Sequence, residues 1–357
     1  MRERLLAWLA CPTCRAALAL TVTARADDDV REGVLTCTRC GARYPITQGI
    51  PRMIPGGVTR EARETAERFG YEWTRFAEIR PQYAAQFQGW IAPVEPATFA
   101  GRVVLDAGCG KGRHLRLVAQ HGAREVIGVE LGPAVEVAMR NTADLENVHV
   151  IQGDLTQPPV RPTSVDVVYS IGVLHHLGEP VTGFRALASL LASGGLLVAW
   201  LYAREGNGRL LALLEPLRRI TRGAPLGLVS ALAWGLTVPL WLALRTVYAA
   251  GRAWPLLQRC LPYASYLVDL VPFPFREVHS IVFDQLLAPV AHYMSRSEVE
   301  LCFAESGLAL TSLRWHHANS WSASGHARLE GDQSACPEST AIGVCESPGR
   351  SDRGELR

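Results

Sequence analysis

The feature that most constrains the fold of this chain is the segment of residues 103–112, which reads VVLDAGCGKG. It begins with the apolar, β-branched character of a buried strand, and Asp106 ends that strand. Glycines at alternate positions then permit a tight turn, and residues 113–121 follow with a helical pattern. Ligands bind at the carboxyl ends of the strands in doubly wound parallel sheets. The segment therefore predicts an α/β fold with a ligand site close to Asp106.

The spacing of the glycines distinguishes between two kinds of nucleotide-binding turn. A dinucleotide-binding turn reads G-x-G-x-x-G, so a third glycine would follow Gly108 and Gly110 at position 113, which is Arg113. A pyrophosphate site also has no use for a carboxylate at Asp106. The pattern D-x-G-x-G-x-G instead resembles motif I of class I S-adenosylmethionine (SAM)-dependent methyltransferases. In that family the glycines pass under the amino-acid and ribose parts of the cofactor.

Further strand-like segments follow in the order and spacing of that family. Glu130 ends residues 125–130, at the distance past the glycine turn where an acidic residue binds a ribose. The resemblance implies that Asp154 receives the adenine amino group and that the backbone N–H of Leu155 reaches a ring nitrogen. Taken alone, Asp106 and Glu130 have an alternative role as helix caps. The predicted cofactor site consists of Asp106, Gly108, Gly110, Glu130, Asp154, Leu155 and Ser170.

The remaining pattern completes the predicted fold. Residues 187–191, 192–195 and 196–202 are predicted as helix, turn and strand, and residues 308–315 and 320–328 as the last two strands. We therefore expect a Rossmann-like α/β domain over residues 101–328, with a seven-stranded, mostly parallel sheet and helices on both faces. Residues 58–100 carry aromatic side chains among polar ones, which is typical of two amphipathic helices that cover the sheet and the cofactor.

Four cysteines near the start of the chain have the spacing of a metal site. They form two C-x₂-C pairs, Cys11 with Cys14 and Cys37 with Cys40. Four thiolates close a tetrahedral zinc site, so the predicted zinc is structural, and two disulfides are the alternative. Residues 1–57 resemble the Trm112-like zinc ribbons, whose stand-alone members bind and stabilise methyltransferases. The resemblance implies a packing partner for the following domain, with substrate contact as a second role.

Composition restricts the compartment and the partners. The formal net charge is only +2, whereas nucleic-acid-binding domains concentrate positive charge on one face. We therefore do not expect nucleic acid as a partner. The five cysteines outside the two pairs show no paired pattern, which favours a reducing cytoplasm.

Residues 225–244 contain no charged side chain, and their length meets the criterion for a membrane span. A single span would place the last two strands on the other side of the bilayer from the rest of the sheet. Residues 205–285 are therefore predicted to be an apolar helical insertion that forms a lid. Peripheral contact of residues 209–252 with a membrane and a re-entrant hairpin are the alternatives. Residues 329–357 are polar and rich in Gly, Ser and Pro, which predicts a disordered tail.

The chemistry of the acceptor is less defined by the sequence. Methyl transfer is an in-line displacement that needs a base only when the acceptor loses a proton. Residues 170–173 lack the Asn/Asp-Pro-Pro and Pro-Cys motifs of adenine amino and cytosine C5 methylation. The candidate bases are His175, His176, Asp284 and His292, and each histidine has a structural role as its alternative.

The sequence thus predicts a SAM-dependent methyltransferase with a structural zinc. Because the insertion is apolar, we expect a small apolar acceptor, with O-methylation favoured over C- or N-methylation. Two alternatives stay open: methylation of tRNA or a protein, and a non-catalytic SAM-binding or zinc-ribbon scaffold.

Overall fold

The computed structural model describes residues 1–329. Nearly all of the predicted tail, residues 329–357, lies outside the described residues. The first 53 residues form an antiparallel ribbon after a short 3-10 turn at Glu3–Ala7. Its strands are β1 (Leu18–Ala26), β2 (Asp29–Cys37), β3 (Arg43–Thr47) and β4 (Ile50–Met53).

The other seven strands form the predicted methyltransferase-type sheet. The strand order is β7-β6-β5-β8-β9-β11-β10, with β5 to β9 parallel and β11 antiparallel to both of its neighbours. The predicted fold class is confirmed. The strands are β5 (Val103–Ala107), β6 (Glu125–Glu130), β7 (Val148–Gly153), β8 (Val165–Ile171), β9 (Leu191–Tyr202), β10 (Leu308–His316) and β11 (Ser320–Ala327).

The ribbon continues this sheet. Strand β4 pairs in parallel with β7 through Arg52 with Gln152 and Met53 with Gly153, so the sheet has eleven strands. One hydrophobic core joins Leu5 and Leu35 of the ribbon to residues of the larger domain. The ribbon is therefore packed as part of the main structure.

Helices cover both faces of the sheet. Helices α1 and α2 precede β5, and α3, α4 and α5 connect the parallel strands. The helices are α1 (Arg60–Arg75), α2 (Gln82–Ile91), α3 (Arg113–Gln120), α4 (Ala134–Asn141), α5 (Pro180–Ala188), α6 (Gly208–Thr221), α7 (Leu226–Ala243), α8 (Ala249–Ala253), α9 (Pro255–Cys260), α10 (Ala264–Leu270), α11 (Phe275–Leu287) and α12 (Arg296–Glu305).

The start of β9 differs from the sequence prediction. The strand begins at Leu191, whereas residues 187–191 were expected in a helix and residues 192–195 in a turn. Its pairing with β8 shifts from Val165 with Leu191 to Val167 with Leu196, so the intervening residues bulge out of a continuous strand. Gly194 has φ +71°, which accommodates the bulge.

Six helices, α6 to α11, lie between β9 and α12. The chain then returns to the sheet, because the Met294 N–H donates to the Tyr202 carbonyl at 2.9 Å. Helix α7 packs on α11, with Val229 and Ala233 buried against Phe283 and Leu286. These helices enclose one side of the site described below.

Candidate functional site

The glycine turn after β5 forms the floor of a large cavity. Gly108 has φ +88°, and a Cβ atom there would lie 2.4 Å from Cγ2 of Val173. Gly110 has φ +50° and faces the indole of Trp73. Only glycine combines this backbone conformation with such close neighbours. The turn therefore presents bare backbone to the cavity.

Glu130, at the end of β6, is held against this turn. One carboxylate oxygen accepts the Gly110 N–H at 3.0 Å, and the other accepts the Gly132 N–H at 2.8 Å. Burial raises the pKa of the Glu130 carboxyl above its ordinary value, although these backbone hydrogen bonds oppose the shift. Each carboxylate oxygen has a second lone pair, so the group can accept further hydrogen bonds from a ligand.

Asp154 and Leu155 follow β7 on the same side of the cavity. Asp154 accepts the backbone N–H and the hydroxyl of Thr156, both at 2.9 Å. These bonds fix the carboxylate after the strand end. With Gly108, Gly110 and Glu130, five of the seven predicted cofactor residues line one cavity.

The other two, Asp106 and Ser170, lie behind the turn and are not among the residues that line the cavity. Asp106 is 1% exposed, and Ser170 donates to the Ala107 carbonyl at 2.9 Å. Burial, together with the nearby charge of Glu130, raises the pKa of Asp106 to about 8. These residues support the turn from below.

The cavity has a volume of about 920 Å³ and extends from the glycine turn to the insertion helices. Small-molecule sites commonly occupy about 300–1,000 Å³. Its far end has aromatic walls, in which Trp90 and Trp200 have ring centroids 4.9 Å apart and Tyr202 and Tyr293 are stacked at 5.3 Å. There is room for a nucleoside cofactor and a planar acceptor group together.

Two carboxyl groups face this aromatic end. Glu72 of α1 is fully buried and accepts the Ser280 hydroxyl at 2.7 Å, while its other oxygen has no hydrogen-bond partner among the described residues. The Tyr202 hydroxyl donates to Asp284 at 3.1 Å. Burial, followed by the charge of Asp284, raises the pKa of Glu72, and burial raises that of Asp284. A carboxylate with a raised pKa is a stronger proton acceptor than an exposed carboxylate.

The structure places the three candidate histidines in different surroundings. His176 lines the cavity, and its Nδ1 lies 2.7 Å from the Val290 carbonyl. Because a carbonyl only accepts, we assign the proton to Nδ1, which leaves Nε2 as an acceptor. Burial lowers the pKa of His176 to about 4. His175 is buried outside the cavity lining. His292 is exposed, and its backbone N–H donates to the His175 carbonyl at 2.8 Å.

Two important groups were not found from the sequence. Glu72 lies in a helix with many charged residues, and nothing in its local pattern distinguishes it. The sequence did distinguish Lys111, because it is the only lysine in the chain. Its Nζ donates to the Phe76 carbonyl and to the Tyr83 hydroxyl, both at 2.8 Å. Tyr83 in turn donates to Glu277 at 2.6 Å, so Lys111 ties the glycine turn to helices α2 and α11.

The four predicted metal ligands come together in the ribbon. Their sulfur atoms all lie within 4.8 Å of one another. The Cys11–Cys40 and Cys14–Cys37 separations are 3.7 and 3.4 Å, far longer than a disulfide bond. The cluster fits a tetrahedral tetrathiolate zinc site, and the disulfide alternative does not fit this geometry.

Two protein families match this chain. Residues 105–199 match the family described as "Methyltransferase domain", and residues 2–49 match the family described as "Trm112p-like protein". The first match contains the glycine turn and Glu130, and the second contains the four clustered cysteines.

Curated relatives resemble only part of the chain. A tRNA U34 carboxymethyltransferase from Methylococcus capsulatus is 34% identical over 170 residues, which are 43% of this chain and 51% of that protein. The enzyme of the same name from Idiomarina loihiensis is 34% identical over 114 residues, 30% of this chain and 35% of its own length. The chain thus spans about half, or less, of these relatives.

Some solved structures have a similar backbone fold. One is the complex between the Haloferax volcanii Trm112 methyltransferase activator and a methyltransferase. It has a TM-score of 0.43 and 15% identity over 73% of this chain and 94% of that one. A SAM-dependent methyltransferase from Mesorhizobium loti has a TM-score of 0.41 and 17% identity over 68% of this chain and 97% of that one.

Proposed function

Because the chain belongs to the class I SAM-dependent methyltransferases and carries a Trm112-like domain, we propose that it alkylates a base of a tRNA. The observation that carries this proposal is the single cavity that joins the glycine turn to an aromatic acceptor end. The tRNA acceptor is supported by the relatives that match the methyltransferase domain and are named tRNA U34 carboxymethyltransferases.

This proposal corrects two predictions from the sequence. We expected a small apolar acceptor and no nucleic-acid partner, and both expectations are wrong in light of those relatives. The low net charge misled us because it averages over the whole chain, whereas nucleic-acid contacts depend on local charge. The cytoplasmic location and the membrane contact of residues 209–252 stay predictions.

The proposed cofactor is SAM, which when bound supplies an electrophilic methyl group on its sulfonium. Glu130 has free lone pairs that can accept hydrogen bonds from both ribose hydroxyls. Asp154 likewise has free lone pairs that can accept a hydrogen bond from the adenine amino group. The bare backbone of Gly108 and Gly110 permits close approach of the amino-acid part. Asp106 and Ser170 act indirectly, by holding the turn in this conformation.

At the acceptor end, the chain provides surfaces for a planar base. Enzymes that modify a nucleobase take it out of its stack and hold it against aromatic side chains. Trp90, Trp200 and Tyr202 offer such surfaces. Nε2 of His176 and the carboxyls of Asp284 and Glu72 are the proposed acceptors for a proton that leaves the base.

Zinc is proposed to have a structural role. The four sulfur atoms leave no ligand position for a substrate when they surround one ion, and none of the four cysteines lines the cavity. The ion would therefore hold the ribbon against the sheet and take no part in the transfer.

The test is label transfer from methyl-labelled SAM to bulk tRNA by the full chain, with nucleoside mass spectrometry to identify the added group. We expect label in tRNA, at least about 100-fold less label with Asp284→Asn, and no change with Asp27→Asn in the ribbon. SAM binding by Asp284→Asn should stay normal. Label recovered only in lipid or protein would overturn the tRNA proposal, and no transfer to any fraction would overturn the enzymatic one.

A further inference from the structure

Helix α7 continues through a π-helical turn into α8, so one helix runs from Leu226 to Ala253. By length and composition it could cross a bilayer, yet only 22% of its most apolar stretch is buried. A helix that is apolar on all sides is normally enclosed by protein or lipid. The structure thus leaves a large apolar surface uncovered.

The two sides of α7 have different surroundings. Val229, Ala233 and Thr237 recur every four residues and are buried against the protein. Leu228, Leu232 and Leu242 lie on the opposite side and are 65%, 38% and 55% exposed. Because one side of α7 packs on α11, the helix cannot cross a bilayer without leaving the fold. It can lie flat on one.

Further exposed apolar side chains stand at both ends of this helix. Ile220, just before it, is 73% exposed, and Trp254 and Leu256, just after it, are 67% and 78% exposed. We call these three residues, with Leu228, Leu232 and Leu242, the apolar face. Tryptophan is enriched where a protein meets the membrane–water interface.

Nearly all charged residues around the apolar face are positive. Residues 206–260 contain seven arginines and one acidic residue, Glu215. Arg219 precedes the long helix, Arg252 lies in its last turn and Arg259 follows it. All three are exposed, and none has an acidic partner in residues 1–329. Positive charge at both ends of an apolar helix matches an anionic lipid surface.

We propose that the apolar face binds the surface of an anionic membrane, with its leucines at the acyl boundary and the flanking arginines at the headgroups. RNA also attracts arginine, but aliphatic leucines have no counterpart in its stacked bases and phosphates. A second copy would bring like charges together at both ends. Neither RNA nor a second copy of the chain therefore explains why exposed leucines and flanking arginines occur together.

The experiment is vesicle flotation of the full chain with phosphatidylcholine alone and with added phosphatidylglycerol. We expect binding to the anionic vesicles, and at least about tenfold weaker binding after the double substitution Leu228→Glu and Leu242→Glu. The control is Leu301→Glu on α12, which is 55% exposed and lies outside the apolar face. It should bind as the unmodified chain does. Replacing Arg219 and Arg252 by Gln should weaken binding and reduce its salt dependence.

Circular dichroism of each variant checks that the fold is retained. As a second readout, brominated lipids should quench the fluorescence of Trp254, so Trp254→Phe should lose part of the quenching. Failure of the unmodified chain to float with anionic vesicles would overturn the proposal, as would equal binding of the folded leucine variant. Concentration-dependent dimerisation through these leucines, or binding to RNA without binding to vesicles, would also contradict it.

Discussion

At the scale of single residues, the ionisation of the buried Asp106 links the stability of the free protein to pH. Its pKa of about 8 lies far above the ordinary 3.8. Between these values the folded carboxyl is neutral and the unfolded one is ionised, so unfolding releases a proton. The free energy of unfolding therefore falls as pH rises, and this loss is complete above pH 8.

Asp106→Asn should remove that contribution. We expect the free energy of unfolding of the unmodified chain, without SAM, to fall more steeply between about pH 6 and about pH 8 than that of the variant. The difference in slope should be about 1.4 kcal/mol per pH unit. Urea unfolding at several pH values measures it, and parallel slopes would show that Asp106 is already ionised.

Lys111 gives a second prediction at this scale. The chain has 36 lysines and arginines together, and Lys111 is the only lysine. Its buried amine donates to the Phe76 carbonyl and the Tyr83 hydroxyl, a geometry that the longer, planar guanidinium of arginine does not reproduce. Lys111→Arg should thus lower the free energy of unfolding by about 1–3 kcal/mol. The exposed control Arg124→Lys should change it by less than about 0.5 kcal/mol, and equal stability of both variants would contradict this account.

The same residues show what the sequence could reveal about the site. The glycine turn, Glu130 and Asp154 were predictable because motif spacing fixes them relative to local strands. Glu72 was not, because its position in the cavity depends on how α1 packs against α11, and no local pattern encodes that packing. His175 and His176 are adjacent in sequence, and only tertiary structure places one of them in the cavity.

At the scale of elements, we predict that the stability of the ribbon depends on a zinc ion held by its four cysteines. Cys37 ends β2 and is 3% exposed, so its thiolate is placed by the strand itself. Cys37→Ser should abolish bound zinc, with an expected ratio of one ion per unmodified chain, and should destabilise the protein by several kcal/mol. Elemental analysis and thermal unfolding measure both effects. The exposed Cys260→Ser should retain zinc, and a zinc-free unmodified chain with normal stability would contradict the prediction.

The strands were predicted with uneven success for a physical reason. The inner strands β5 to β8 are nearly continuous apolar runs between turns, so pattern alone identifies them. The start of β9 was missed because a Ser-Gly-Gly segment resembles a turn wherever it stands. Here pairing with β8 holds both flanks and lets these residues bulge, a tertiary effect.

At the scale of the whole molecule, the ribbon and the methyltransferase domain form one sheet. The sequence predicted two modules but not their junction, because pairing of β4 with β7 joins segments about 100 residues apart. Hydrogen bonds reinforce the junction: the Arg161 side chain donates from Nε to the Leu9 carbonyl at 3.0 Å, and the Arg161 backbone N–H donates to the Trp8 carbonyl at 2.8 Å. Through this shared core, the zinc proposed at the four cysteines would stabilise the larger domain as well as the ribbon.

The most direct test of the account is calorimetric titration of the full chain with SAM, because the proposed function depends on SAM at the glycine turn and Glu130. We expect one SAM per chain and binding at least about tenfold weaker for Glu130→Gln, since a charged acceptor is lost. The control is Glu300→Gln on α12, where Glu300 is half-buried and not among the residues that line the cavity, and it should bind SAM as the unmodified chain does. Absence of binding by the folded unmodified chain, or equal affinity of the Glu130 variant, would contradict the account.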